Sequence, residues 1–230
     1  MSGTPGWLLA MDTATATIVV AAGTLDGRLI VARAFEARYR HSQELLPTVV
    51  ELISEAGLRL PDLAAIVVGT GPGAFTGLRV GLATAKTLAH ELRVPVIGIA
   101  SSDALLAAAD AGAVLWLPSG PRDRLSVTAG HAPVVVPGAA DASVTTRPGD
   151  GSDANAVAVD LDGRAPEGAL ARGRATVEAL PASLVRLGAA RLAAGDVDDP
   201  ERLVPRYASA PRGAAEGQAE GAVAWSRDPR

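Results

Sequence analysis

The 230-residue sequence has no cysteine, which excludes disulfides, thiol catalysis and thiolate metal sites together. It has one lysine, Lys86, so arginine carries nearly all of its positive charge, and its net charge of -4 leaves no basic footprint for autonomous binding of nucleic acid. Three histidines, His41, His90 and His131, are too few and too scattered to suggest a metal site. No Ser, His and acid constellation can be assembled. No apolar run is long enough to cross a membrane, and the first ten residues lack the charged start and apolar core of a secretory signal, so a cytoplasmic address is expected. What is present, 48% apolar and 20% charged residues, suits a globular chain of one large or two small domains.

The first hundred residues read clearly. Trp7 to Met11, Thr17 to Gly23 and Arg28 to Glu36 are expected strands, with Asp26-Gly27 as a hairpin turn. A helix from His41-Ser42 to Ala56 follows, stopped by Gly57. Then come a strand at Ala64 to Val68, a helix from Gly77 to about Leu92 and a strand at Val94 to Ile99. The order βββαβαβ predicts an RNase-H-like half, a mixed sheet with helices against it. Beyond it the pattern thins. Ser101-Ser102-Asp103 is expected to cap a helix through Asp110, with short strands at Val114 to Leu117, Leu125 to Ala129, Ala132 to Val136 and Ala156 to Asp160. Pro137 to Ala154 reads as loop, Leu184 to Ala194 as a late helix, and Pro211 to Gly221 as disordered. The organisation expected is α/β with two RNase-H-like (actin-like ATPase) subdomains, 1–100 and a reduced 101–209, then a flexible tail over 210–230.

Between the fourth strand and the second helix runs Gly69-Thr70-Gly71-Pro72-Gly73-Ala74-Phe75-Thr76-Gly77-Leu78-Arg79-Val80-Gly81. Its glycines allow positive φ and close backbone approach, Pro72 pushes Gly71 toward extended geometry, and Thr76 can cap the helix. Amides at a helix start suit an anion, so Gly71, Gly73 and Thr76 form a candidate vestigial phosphate site, and Asp12 and Thr13 join it because Asp12 follows the first strand, where actin-like ATPases keep an acid near the metal and phosphates. The Gly-Lys-Ser/Thr ending of a Walker loop and the Rossmann spacing are both absent, and a tight packing turn is the competing reading.

The two helices carry a second signal. Leu45, Leu46, Val49, Val50, Leu52, Ile53 and Ala56 cover an arc of roughly 160°, wider than one sheet-facing stripe needs. Gly77, Gly81, Ala85 and Ala89 recur every four residues, a ridge that lets another helix approach closely. The ridge serves either a contact within the chain or one between two chains. Arg79 and Lys86 lie off it, either as solvated charges or as partners for acids on another chain.

MDTATATIVVAA, RHSQELLPTVVELI, GTGPGAFTGLRVGLATAKTLA and VPVIGIASSDAL together resemble the TsaB family of bacterial tRNA threonylcarbamoyladenosine biosynthesis proteins, nearly continuously from Leu8 to Leu106. Past that point Pro118 to Val127 departs from the family's Asp-Ala-Arg segment, and Pro205-Arg206-Tyr207-Ala208-Ser209 keeps the proline and tyrosine of its Pro-x-Tyr-x-Arg element but not the arginine. Val223-Ala224-Trp225 resembles the family's terminal segment. The resemblance implies a protein that is not itself the catalyst and has no cofactor. TsaD transfers the threonylcarbamoyl group to the tRNA adenosine beside the anticodon, TsaE is an ATPase, and TsaB holds and activates TsaD. The His-x-x-x-His metal pair of TsaD is absent here.

On that basis Leu46, Val49, Val50, Ile53, Gly77, Gly81, Ala85 and Ala89 are the expected TsaD interface, used for a homodimer when TsaD is absent. No catalytic residue, metal site, membrane contact or autonomous nucleic-acid contact is expected. The rival reading is an ATP-dependent small-molecule kinase or ATPase of the same fold using Asp12 and the glycine loop. It also needs a second acid-glycine turn, for which Asp160-Leu161-Asp162-Gly163 is the candidate.

Overall fold

β1 (Trp7–Asp12) and β4 (Leu63–Gly69) are almost wholly buried, as apolar strands covered on both faces must be. In the computed structural model, which describes residues 6–37, 40–138 and 153–207, they are neighbours in a five-stranded sheet with β2 (Thr17–Thr24), β3 (Leu29–Glu36) and β5 (Val96–Ile99). The order is β3-β2-β1-β4-β5: β1, β2 and β3 run antiparallel, and β4 and β5 run parallel to β1 and its neighbour. A second sheet contains β6 (Val114–Ser119), β7 (Asp123–Val127), β8 (Val134–Val136) and β9 (Ala156–Ala158) in the order β8-β7-β6-β9. Its first three strands are antiparallel and β9 is parallel to β6, so it repeats the plan of β3-β2-β1-β4. Among the described residues no α-helix lies between β8 and β9, where the first half has one. With four strands against five, the second sheet is the smaller of the two among the described residues.

One face of the first sheet, with Leu9, Met11, Ile18, Val20, Ile66 and Val68, is covered by α1 (His41–Glu55) and α2 (Phe75–Leu92). The other face carries Leu8, Ala10, Val19, Ala65 and Val67. These residues share one core with α3 (Ser101–Ala108), α4 (Glu167–Ala193) and the inward face of the second sheet. A third cluster around Trp116, Leu161 and Leu170 closes the second sheet's other face.

The structure changes several expected elements. The late helix is 27 residues long and begins at Glu167, far before Leu184. Its first half is poor in large apolar residues because it packs by close approach. A side chain at Gly173 would strike the Ala158 carbonyl; further along the helix, one at Gly188 would overlap Val67. Ser183 Oγ donates to the Ala104 carbonyl at 2.8 Å, tying α4 to α3. α2 begins at Phe75, two residues before Gly77; its N-cap is Ala74, and Thr76 lies inside the first turn as an exposed residue without a capping bond. Ser101 does not cap α3, whose N-cap is Ala100. Gly71 takes φ +96° and not the extended geometry expected before Pro72, a conformation that favours glycine. The tail at 210–230, the loop residues 139–152 and Ala208-Ser209 lie outside the described residues.

Candidate functional site

β1, β4 and β5 are adjacent and parallel, so their C-terminal ends bring Asp12, Gly69 and Ser101 together. Asp12 is completely buried. One carboxylate oxygen accepts the Ala14 N–H at 2.8 Å, and the other accepts the Ser101 hydroxyl at 2.5 Å. Ser101 Oγ in turn accepts the Gly71 N–H at 3.0 Å, and the Ser101 N–H donates to the Gly71 carbonyl at 2.7 Å. Burial pushes the Asp12 carboxyl above its ordinary range, against the opposing pull of the Ser101 and Ala14 hydrogen bonds. Any side chain at Gly69 would collide with this carboxylate.

The loop that could have cradled a phosphate is filled by the chain itself. The Ala74 N–H donates to the Ala14 carbonyl at 2.7 Å, and a side chain at Gly73 would run into that same carbonyl. Gly71 is covered by the Arg206 carbonyl, and the Arg206 N–H donates to Thr70 O at 2.7 Å. Thr13 is buried, with its hydroxyl donating to the Gly77 carbonyl at 2.7 Å. Of the five residues read as a vestigial phosphate site, Asp12, Thr13 and Gly71 are thus committed to partners inside the chain, and Gly73 is pressed on Ala14. Thr76 points outward and takes no part in the loop. The glycines serve packing.

The small ridge of α2 also faces inward. Gly77, Gly81, Ala85 and Ala89 are buried, and the space a side chain would need at Gly77 or Gly81 is held by Thr13. On α1, Leu45, Val49 and Leu52 are buried against the sheet, so Val49 joins the four small residues in being inaccessible. All five belong to the expected partner interface; in this chain Val49, Ala85 and Ala89 lie in the core of the first sheet, and Thr13 fills the space at Gly77 and Gly81. The wide apolar arc of α1 divides instead. Leu46 is 47% exposed, Val50 is 60% exposed, and Ile53 is half-buried.

Asp160, at φ +55°, reaches from the second half to accept the Ala16 N–H at 2.7 Å in the turn between β1 and β2. Burial raises its carboxyl as well. It lines a cleft of about 250 Å³ that also touches Thr15, Gly73, Phe75, Pro118 and Tyr207. The acid-glycine turn therefore faces the first half, as a backbone clasp. His41 is buried at the start of α1, with Nε2 3.1 Å from the Thr15 carbonyl. The partnership of Ser101 with Asp12 was not foreseen; its signal is the place of Ser101 directly after a parallel strand. A Phe75, Arg79 and Tyr207 cluster was also missed, since 128 residues separate Arg79 from Tyr207. Among the described residues no group of three or more His, Asp or Glu could hold a metal ion, and no helix is long and apolar enough to cross a membrane.

A family model described as TsaD, tRNA N6-adenosine threonylcarbamoyltransferase, matches residues 35–166, more than half of the chain. The chain belongs to the TsaD family. Its likeness within that family is to TsaB. The tRNA threonylcarbamoyladenosine biosynthesis protein TsaB of Escherichia coli is 38% identical over 98 residues, 41% of this chain and 40% of that protein. TsaB of Bacillus subtilis is 35% identical over 100 residues, 44% and 43% of the two chains. An uncharacterized protein of Mycobacterium leprae is 42% identical over 101 residues, 43% of this chain and 28% of that one. The chain spans less than half the length of these curated relatives. Among solved structures, YeaZ from Pseudomonas aeruginosa superposes with a TM-score of 0.65 at 25% identity, covering 88% of this chain and 99% of that one. The mixed α/β architecture with two sheets is that of the RNase-H-like, actin-like fold.

Proposed function

We propose that the chain is a non-catalytic subunit that docks on a TsaD-type threonylcarbamoyltransferase and activates it in the threonylcarbamoyladenosine modification of tRNA. The observation that carries this reading is the divided α1 arc. The inner residues complete the chain's own core, while Leu46 and Val50 remain as large apolar side chains in water on a helix packed beside α2. Support comes also from the TsaB relatives, whose name places them in threonylcarbamoyladenosine biosynthesis. The internal commitments of Asp12 and the glycine loop favour this reading over the kinase or ATPase alternative.

The docking surface is the outer side of α1 and α2: Leu46, Val50 and Ile53, with the exposed residues of α2 beside them. The same surface closes a homodimer when TsaD is absent, so the two states compete, and TsaE joins the wider complex through TsaD. The test is co-purification of the full chain with TsaD from the same genome, followed by hydrogen exchange of the free and bound chain. Protection concentrated in α1 and α2 is expected; protection confined to the second sheet would overturn the surface.

A further inference from the structure

α2 carries one cation in an unusually fixed position. Arg79 is exposed, yet its guanidinium carbon lies 3.7 Å over the centre of the Phe75 ring, and its Nε donates to the Tyr207 hydroxyl at 3.1 Å. The Phe75 and Tyr207 rings stack on each other, 4.8 Å between centres and tilted by 34°. Tyr207 is itself anchored, since its backbone bridges Gly73 and the preceding Arg206 N–H holds the Thr70 carbonyl. The arginine is thus held along its length by groups from two distant parts of the chain.

Beyond the Phe75 ring, its charge has no partner among the described residues. Among the described residues no carboxylate pairs with Arg79, and its two terminal nitrogens make no hydrogen bond. Contrast Arg191, whose guanidinium is spent on Asp196, Asp198 and the Gly98 carbonyl. A surface arginine ordinarily loses side-chain freedom when it forms an ion pair, which cancels much of the gain. Arg79 has already lost it. A planar fork fixed in advance, with its outer N–H groups free, is complementary to a carboxylate.

We propose that Arg79 is a preset receptor for a carboxylate on the TsaD-type partner, and that Tyr207 is the residue that positions it. This rests on the docking reading above and adds to it the chemistry of one partner group. It also couples the segment that crosses the glycine loop to partner binding: what holds Tyr207 in place holds the fork in place.

The experiment is titration of the full chain into TsaD from the same genome at about 50 and about 300 mM salt, where screening differs severalfold. The variants are Arg79→Ala, Arg79→Lys, Arg79→Glu and Tyr207→Phe, with the double change Leu46→Asp, Val50→Asp as control. Arg79→Ala is expected to weaken binding about tenfold, with a flatter salt dependence than the wild type. Arg79→Lys keeps the charge but loses the fork and should recover only part of the loss. Arg79→Glu should bind more weakly than Arg79→Ala, because like charges then meet. Tyr207→Phe removes only the hydroxyl and should cost about threefold. Binding by Arg79→Ala within twofold of wild type, with the double variant inactive, overturns this inference and leaves the docking surface standing. Wild-type affinity in the double variant overturns that surface; a loss with Arg79→Ala in the same series would still uphold the fork. Absence of binding by the wild type overturns both.

Discussion

On α2 the inward column of Gly77, Gly81, Ala85 and Ala89 is buried, whereas the outward column of Thr76, Arg79, Ala83 and Thr87 is exposed, as are Leu46 and Val50 of α1. Both columns are rich in small residues, so residue size alone does not separate a surface meant for this chain from one open to another. What separates them is whether the space is already taken. At Gly77 and Gly81 it is taken by Thr13, and the helix sits as low on the sheet as its backbone permits.

The largest effect is expected at Gly81. Gly81→Leu must displace Thr13 from the middle of the buried network, and we expect a loss of roughly 3 kcal/mol or more in urea unfolding, at the upper end for overpacking. Retained stability together with lost TsaD binding would instead return the small column to the interface. Next in size is the neighbouring pair on α1. Leu45, 1% exposed, should cost roughly 2–5 kcal/mol as Leu45→Ala, while Leu46→Ala should fall within about 0.5 kcal/mol of wild type in the same unfolding assay. Equal costs would mean that the two sides of the helix are not distinct.

The smallest effect concerns pH. Burial raises the folded-state carboxyls of Asp12 and Asp160 above 3.8, so the folded chain keeps protons that the unfolded chain releases. Their stabilising contribution is complete below about pH 3.8 and is lost as pH rises through the folded values. Asp12→Asn keeps the acceptor for the Ala14 N–H, and its amide can donate to Ser101 Oγ without a buried charge. It should therefore gain stability relative to wild type as pH is raised from about 3.8 through the folded-state value of Asp12. A difference that does not change with pH, followed by thermal unfolding, would show that Asp12 does not titrate in that window.

Much of this architecture was legible in the sequence where burial is regular. The strands through Val68 and both helices of the first half stand where periodicity puts them, because two-sided burial writes continuous apolar runs and one-sided burial writes stripes. α4 was legible only from Leu184 onward. Its earlier turns pack through Gly173 and Thr176, and Pro181 interrupts the pattern, although the helix continues through it. The candidate site was legible in part. The width of the α1 arc suggests a second contact besides the sheet, yet periodicity could not say which of its residues the sheet would claim. The glycine run suggested an anion because glycines open a cradle, and only the fold shows Ala14 and Arg206 inside it. The Arg79 cluster depends on a residue from the far end of the described chain, a kind of contact that no local pattern encodes.

The outer face of α1 is tested by an isothermal titration of Leu46→Asp, Val50→Asp into TsaD from the same genome, with the unfolding curve of the variant measured alongside. Wild-type stability and at least about a hundredfold loss of affinity are expected, as when charges are placed in the apolar centre of an interface. Wild-type affinity in a folded double variant would contradict the docking reading.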